Sequence, residues 1–189
     1  MSSLIIGLGN MGPDYEHTRH NIGFDVLEEL STQFSTDSGF EPSRHGDTFR
    51  FRTKGRSVTL LKPSTFVSLS GKAVSYWMQK EKVKLEDVLV VTDDLALPFG
   101  TLRMRAKGND GGHNGLKNID LVLGTSKYAR LRFGVGGDFQ RGQQIDYVLG
   151  QWSDVEKETL AERIEMTGKM ILSFCTAGVA RTMSDFNNR

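Results

Sequence analysis

The sequence is poor in cysteine, in long apolar runs and in net charge, and each shortage excludes a class of protein. Its one cysteine, Cys175, cannot form an internal disulfide and supplies no thiolate cluster for zinc. Cys175 lies on a predicted helix with an apolar stripe, where packing in the core is the expected role. No run of about 18 apolar residues is present, and no basic segment followed by an apolar one stands at the N-terminus. Neither a membrane span nor a signal peptide is predicted, and a cytoplasmic protein is expected.

What is present is an ordinary globular composition. Of the 189 residues, 38% are hydrophobic and 25% are charged, as in soluble domains. This length suits one well-buried domain over residues 1–189 better than two domains.

Strand-like and helix-like segments alternate along the chain without internal repeats. Residues 88–91 form a short, continuous apolar run, typical of a central strand buried on both faces. The alternation predicts an α/β fold with a single domain, in which helices flank a twisted, mixed and mostly parallel sheet. The predicted strands are residues 4–8, 48–53, 57–61, 88–91, 102–106, 131–135 and 145–149, and the predicted helices are residues 21–34, a segment that begins at Ser70-Gly71, and residues 113–123 and 154–184.

The first strand runs into Gly7, Gly9 and Gly12, which have the GxGxxG spacing of a dinucleotide-binding turn. Such a turn opens a helix with an apolar stripe and is followed, about 20 positions later, by an acidic residue. Here residues 14–21 are mostly polar, and residues 31–33 include no carboxylate. A nicotinamide or flavin cofactor is therefore not expected.

Positive charge is concentrated between residues 103 and 141, where eight lysines and arginines accompany three aspartates. Arg103 and Arg105 alternate in one strand-like run and Arg130 and Arg132 in another, so each pair shares one face of the sheet. This face is either an ordinary solvated surface or a surface that binds phosphates.

Four polar residues are predicted to meet at the carboxyl ends of the strands, where open α/β sheets place their sites. An imidazole accepts a proton near neutral pH, and a carboxylate on its second nitrogen fixes its tautomer. Amides can bind a carbonyl oxygen or hold a water molecule. No serine stands in a Gly-x-Ser-x-Gly turn, so water is the expected nucleophile, and the four histidines lack a metal-ligand spacing, so no metal is expected. The four residues are Asn10, His20, Asp93 and Asn114.

Each of these residues also has an ordinary structural role open to it. The pair His20-Asn21 could cap the first helix, because asparagine is a good cap residue. Asp93-Asp94 could form a solvated turn, and residues 111–115 could be a glycine-rich helix entry. The joint pattern favours a site.

The sequence closely resembles the bacterial peptidyl-tRNA hydrolase family. The matching segments follow the family's order over most of the chain, and TRHN together with GGHNG is specific to it. The resemblance implies a monomeric enzyme that cleaves the ester between a peptide and the 3′-terminal ribose of tRNA, with no cofactor or metal. The matching segments are LIIGLGN (residues 4–10), YEHTRHNIGF (15–24), KPSTF (62–66), SGKAV (70–74), VTDDLALPFGTLRMR (91–105), GGHNGLKNI (111–119) and RLRFGVGG (130–137).

The same resemblance implies a role for each site residue. His20 would be the general base that activates water, oriented by Asp93. Asn114 would hold the water or the oxyanion, and Asn10 would engage the substrate near the ester. Substrate binding would fall to residues that line the cleft or meet acceptor-stem phosphates, namely Tyr15, Phe66, Ser68, Arg103, Arg105 and Arg132.

The chain departs from the family pattern at three places. Val67-Ser68 stands where the family usually has Met-Asn, so we expect weaker binding of the peptide main chain. The usual Asn-Pro-Gly is Asn10-Met11-Gly12, with Pro13 displaced, and Ala96 replaces a common acidic residue. None of these changes removes His20, Asp93 or Asn114.

Two other functions remain open. One is a non-catalytic RNA-binding protein of the same fold, which the complete set of polar site residues argues against. The other is a hydrolase of small esters or amides. Only a tRNA enzyme should lose affinity steeply with added salt, because phosphate contacts release counterions.

Overall fold

The structure, a computed structural model, describes residues 1–35 and 39–189 and is built on one seven-stranded sheet. The strands lie in the order β2-β3-β4-β1-β5-β7-β6. Strands β4, β1, β5 and β7 run parallel, and β2, β3 and β6 pair antiparallel at the two edges. The predicted α/β fold with a mixed, mostly parallel sheet is confirmed. The strands are β1 (Ser2–Gly7), β2 (Glu41–Ser43), β3 (Gly46–Thr53), β4 (Arg56–Pro63), β5 (Val88–Asp94), β6 (Leu102–Arg105) and β7 (Ala129–Gly134).

Helices cover both faces of this sheet because its central strands are apolar on both sides. Alternate residues of β1 pack in opposite directions, with Ile5 on the side of α1, α5 and α6 and Leu4 and Ile6 on the side of α2 and α3. None of the helices over the described residues is both long and apolar enough to cross a membrane. The helices are α1 (Ile22–Thr32), α2 (Ser70–Lys80), α3 (Asn114–Leu123), α4 (Gln144–Val148), α5 (Asp154–Ala177) and α6 (Val179–Phe186).

Three sequence-based predictions about the elements were wrong. Residues 145–149 are not a strand but belong mainly to α4, because Ile145, Val148 and Leu149 follow helical spacing. The long C-terminal helix is two helices, broken at Gly178, whose φ of 87° favours glycine. The short strand β2 lies between the helix predicted at residues 21–34 and the strand predicted at residues 48–53, where no strand was predicted.

Two glycines, Gly7 at the end of β1 and Gly23 in the first turn of α1, allow these two elements to pack closely. A side chain at Gly23 would place its Cβ 2.5 Å from the backbone nitrogen of Leu8, and one at Gly7 would collide with the carbonyl of Gly23. The first turn of α1 can therefore lie directly against the end of β1. This contact brings the residues just before α1, including His20, to the carboxyl edge of the sheet.

Candidate active site

The four predicted site residues line one cleft, with a volume of about 290 Å³. Asn10 follows β1, Asp93 lies near the end of β5, and Asn114 is the first residue of α3. His20 lies in a short 3₁₀ turn, residues 19–21, that leads into α1. The carboxyl edge of the sheet thus assembles residues that are far apart in the sequence, as the sequence predicted.

Three hydrogen bonds, two with Asn21 and one with Val67, hold Asn10 in place. The side chain of Asn21 accepts a hydrogen bond from the Asn10 backbone N–H and donates one to its carbonyl, each at 2.8 Å. The Asn10 Oδ1 atom accepts from the backbone N–H of Val67, also at 2.8 Å. Asn21 occupies the N-cap position of α1, as the alternative role allowed, but its side chain makes no capping bond and binds the backbone of Asn10 instead. The Asn10 side-chain oxygen is thus used within the protein, and its amide NH₂ group is left for a ligand in the cleft that Asn10 lines.

His20 and Asp93 form the hydrogen-bonded pair that the sequence suggested. The His20 Nδ1 lies 2.9 Å from Asp93 Oδ2, and the Asp93 side chain is only 2% exposed. Asp93 is therefore no solvated turn. Burial lowers the pKa of His20, but the charge of Asp93 and its hydrogen bond outweigh burial and raise that pKa above 6.5. With Nδ1 donating to the carboxylate, Nε2 is the nitrogen left to accept a proton.

His113 is a second imidazole on the same carboxylate, and sequence reasoning missed it. The backbone N–H of Gly115 donates to His113 Nδ1 at 3.0 Å, which assigns the proton of the neutral ring to Nε2. That nitrogen donates to Asp93 Oδ1 at 2.8 Å. Although burial raises the pKa of Asp93, the two histidines outweigh it and hold this pKa well below its usual range. The only sequence signal was its position in GGHNG, beside Asn114.

The cleft also carries two of the predicted substrate-binding residues from the segment between β4 and α2. Phe66 is 63% exposed, and both it and Ser68 line the cleft. Tyr15 is half-buried on the loop after β1 and does not line the cleft, so the structure does not bring it to the other site residues.

The two arginines of β6 share one face of the sheet, as do the two of β7, as predicted, and the strand register places all four on the same face. Arg103 pairs with Arg132 and Arg105 with Arg130 across the antiparallel ladder. Arg132 lines the cleft and donates to the carbonyl of Asn109 at 2.7 Å. Arg130 is fully buried, stacked 4.3 Å from the Tyr128 ring centre, so it supports the fold and is not exposed to a ligand.

Another part of the cleft wall comes from α4, whose residues were predicted to form a strand. Ile145 and Val148 line the cleft from this side. Arg19, next to His20 in the chain, donates to the carbonyl of Tyr147 at 3.2 Å and to Glu156 at 2.8 Å. The segment that carries His20 is therefore fastened to this wall.

Cys175 is buried and unpaired, and burial raises its pKa to about 12, which confirms its packing role.

Comparisons with known proteins agree on one family. The family model for peptidyl-tRNA hydrolase matches residues 4–189. A peptidyl-tRNA hydrolase of Bacteroides fragilis is 56% identical over all of both chains, and one of Phocaeicola vulgatus is 54% identical over the same extent. The crystal structure of peptidyl-tRNA hydrolase from Acinetobacter baumannii, with 31% identity, superposes with a TM-score of 0.89 over 98% of this chain and 94% of that one. The chain belongs to the peptidyl-tRNA hydrolase family.

Proposed function

We propose that this protein hydrolyses the ester between the peptide and the 3′-terminal ribose of peptidyl-tRNA, with His20 as the general base. The observation that carries the proposal is the hydrogen bond from His20 Nδ1 to a buried carboxylate at the floor of the cleft. It leaves Nε2 as a proton acceptor whose pKa is raised, which suits a general base near neutral pH.

The reaction follows from this geometry. A water molecule gives one proton to His20 Nε2 as its oxygen attacks the ester carbonyl, and Asp93 stabilises the imidazolium that forms. The tetrahedral intermediate collapses, the C–O bond to the ribose breaks, and the imidazolium returns the proton to the ribose oxygen. The products are tRNA with a free ribose hydroxyl and the peptide carboxylic acid, which releases its proton to solvent at neutral pH. A general base of this kind contributes about 10²- to 10⁴-fold to the rate.

Asn10 and Asn114 are the proposed donors for the substrate carbonyl. The Asn10 amide is fixed by the bond between its oxygen and Val67, so its N–H group is pre-oriented. Asn114 lies at the exposed start of α3, where the positive end of the helix dipole adds to the field at a developing oxyanion. A donor aimed at an oxyanion contributes about 10²- to 10³-fold.

His113 is a positioning residue in this proposal. Its Nδ1 is committed to the Gly115 N–H, so it stays a donor to Asp93 throughout the cycle. It fixes one carboxylate oxygen and thereby aims the other at His20.

Two imidazoles on one carboxylate also make a set of metal-binding groups within 4.8 Å of one another. The proposal uses their ring nitrogens as hydrogen-bond donors, and a chelator control tests whether a metal takes part.

The arginine face is the proposed contact for the acceptor stem. Arg103, Arg105 and Arg132 lie on the same face at the β6 edge, and Arg132 reaches into the cleft. They would place phosphates beside the ester while Phe66 packs on a base or on the peptide, at about 1–3 kcal/mol for a stacked base. Tyr15 would join this surface from the loop after β1. We further propose that the protein acts as a cytoplasmic monomer without a cofactor.

The test is release of tRNA from N-acetyl-aminoacyl-tRNA, compared with hydrolysis of a small N-acetyl-amino acid ester. The proposal predicts rapid release of tRNA that slows steeply with added salt and persists in EDTA. A small-ester hydrolase would cleave both substrates without that salt dependence. Tight tRNA binding without cleavage by the folded protein would favour the non-catalytic RNA-binding function.

A further inference from the structure

A basic surface lies beyond the wall of the cleft that carries Phe66. It consists of Arg44 and His45, in the turn between β2 and β3, with Lys72 and Tyr76 of α2. We name it the turn surface. Arg44 lies 5.2 Å from the centre of the Tyr76 ring, and the His45 ring meets the same ring edge-on at 5.3 Å. These three side chains are in contact, and Lys72 lies one helical turn before Tyr76 on the same face of α2.

The turn surface is built into the fold through its backbone. The Trp77 indole N–H donates to the carbonyl of Arg44 at 2.7 Å, and the Ser64 N–H donates to the carbonyl of His45 at 2.9 Å. These bonds fix the position of the turn without using the side chains of Arg44 or His45. The side chains are left to contact a ligand.

Its charges are not neutralised within the part of the chain that the structure describes. No ion pair among residues 1–35 and 39–189 involves Arg44 or Lys72. The first turn of α2, which contains Lys72, has no acidic residue. Slight burial and then the positive charges of Lys72 and Arg44 lower the pKa of His45. Both cations therefore lie close enough to the His45 ring to act on it together. The surface thus attracts anions.

The topology places the turn surface on the side of the ester opposite the proposed tRNA contacts. Arg103 and Arg105 lie on β6 at one edge of the sheet, and the turn surface lies at the β2–β3 edge. The ester would lie between them, at the ends of β1 and β5. With the tRNA on the β6 side, the peptide is free to leave over Phe66 toward β3 and β2.

The distance fits a short stretch of peptide. Val67 is bonded to Asn10 and Ser64 to His45, and Val67 follows Ser64 by three positions in the chain. That stretch spans at most about 11 Å, because an extended chain advances about 3.3–3.6 Å per residue. An extended peptide that starts at the ester reaches the turn surface with about its third or fourth residue.

We propose that the turn surface binds the third or fourth peptide residue from the ester and favours acidic side chains there. This inference rests on the proposed function and adds a preference for the substrate. The charge comes from Arg44 and Lys72, and the guanidinium of Arg44 lies over the Tyr76 ring.

The test uses N-acetylated tetrapeptides on one tRNA, with either glutamate or lysine at the third and fourth residues from the ester. The wild-type protein is expected to cleave the glutamate substrate with a kcat/KM about five- to tenfold higher at low salt, as for exposed charge pairs. Lys72→Glu should abolish or reverse this preference. The substitution is compatible with folding, because a carboxylate is favourable in the first turn of a helix.

The matched control is Lys80→Glu, in the last turn of the same helix and about 12 Å along its axis from Lys72. It changes the net charge equally and should keep the preference of the wild-type protein. Equal rates for both peptides, with normal cleavage of N-acetyl-aminoacyl-tRNA, would overturn the inference and leave the proposed function standing. A Lys72→Glu loss on N-acetyl-aminoacyl-tRNA as large as on the tetrapeptides would assign the surface to RNA. Failure to cleave any of the three substrates would instead overturn the proposed function.

Discussion

Asp93 is the acceptor for two imidazoles, and Asp93→Asn would leave one oxygen for both of them. His113 needs that oxygen, because its Nδ1 already accepts from Gly115 and its only proton is on Nε2. The new amide NH₂ group would then face His20 Nδ1. An N–H group facing that nitrogen favours the tautomer with the proton on Nε2, which removes the general base.

The magnitude follows from the bond that is lost. The His20–Asp93 hydrogen bond is 2.9 Å long and joins a charged group in a buried site. Bonds of this kind contribute about 1.5–3 kcal/mol, which corresponds to about 10- to 150-fold in rate. The wrong tautomer makes the loss larger, so we expect kcat to fall at least about 100-fold while KM changes little.

A second substitution separates this explanation from a simple loss of charge. In the double variant with His113→Ala, the amide of residue 93 is free to turn its oxygen toward His20, and part of the rate should return. The assay is single-turnover tRNA release from N-acetyl-aminoacyl-tRNA for the wild type, both single variants and the double variant. Losses that simply multiply in the double variant would refute the shared-acceptor reasoning.

The remaining predictions concern pH, charge, stability and the departure from the family pattern. The kcat/KM should rise with pH through a midpoint above 6.5, because Asp93 raises the pKa of His20; a midpoint below 6.5 would contradict this. The double variant Arg103→Ala with Arg105→Ala should raise KM more than it lowers kcat. A loss confined to kcat would contradict the proposed contact of these arginines with phosphates. Burial raises the pKa of Asp25 from 3.8 to about 6. The folded state therefore binds a proton at Asp25 more tightly than the unfolded state does, and the stability that this proton provides is lost as the pH rises through about 6. Asp25→Asn should therefore stabilise the protein at pH 8 by about 2–3 kcal/mol and give no gain at pH 4, measured by urea unfolding. Ser68→Asn should lower KM for peptidyl-tRNA, and an unchanged KM would count against weak peptide binding at this position.

The fold was predictable where a single segment carried its own signal. The apolar run at residues 88–91 marked a central strand, and it does lie in the middle of the sheet with Asp93 at its end. The hairpin of β3 and β4 was visible as two strand-like runs around Lys54-Gly55. The α4 segment is only five residues long, too short for its helical spacing to be distinguished from a strand.

The residues of the site were predictable from the sequence, but the hydrogen bonds that hold them in place were not. Asn10 and Asp93 were identified because each follows an apolar run, and His20 because it lies in the polar segment that connects the first strand to the first helix. The roles of Asn21 and His113 depend on partners 11 and 20 residues away, respectively, and no local pattern encodes such bonds. Arg130 looked like its neighbour Arg132 in sequence, and only the packing on Tyr128 separates a buried arginine from one that lines the cleft.

The role of His20 is tested by single-turnover cleavage of N-acetyl-aminoacyl-tRNA by His20→Ala at saturating enzyme. If His20 is the general base, the rate should fall at least about 100-fold while the affinity for the tRNA stays unchanged, because the proposed partner of His20 is the attacking water and not a phosphate. A rate close to that of the wild type would contradict the central claim that His20 is the general base.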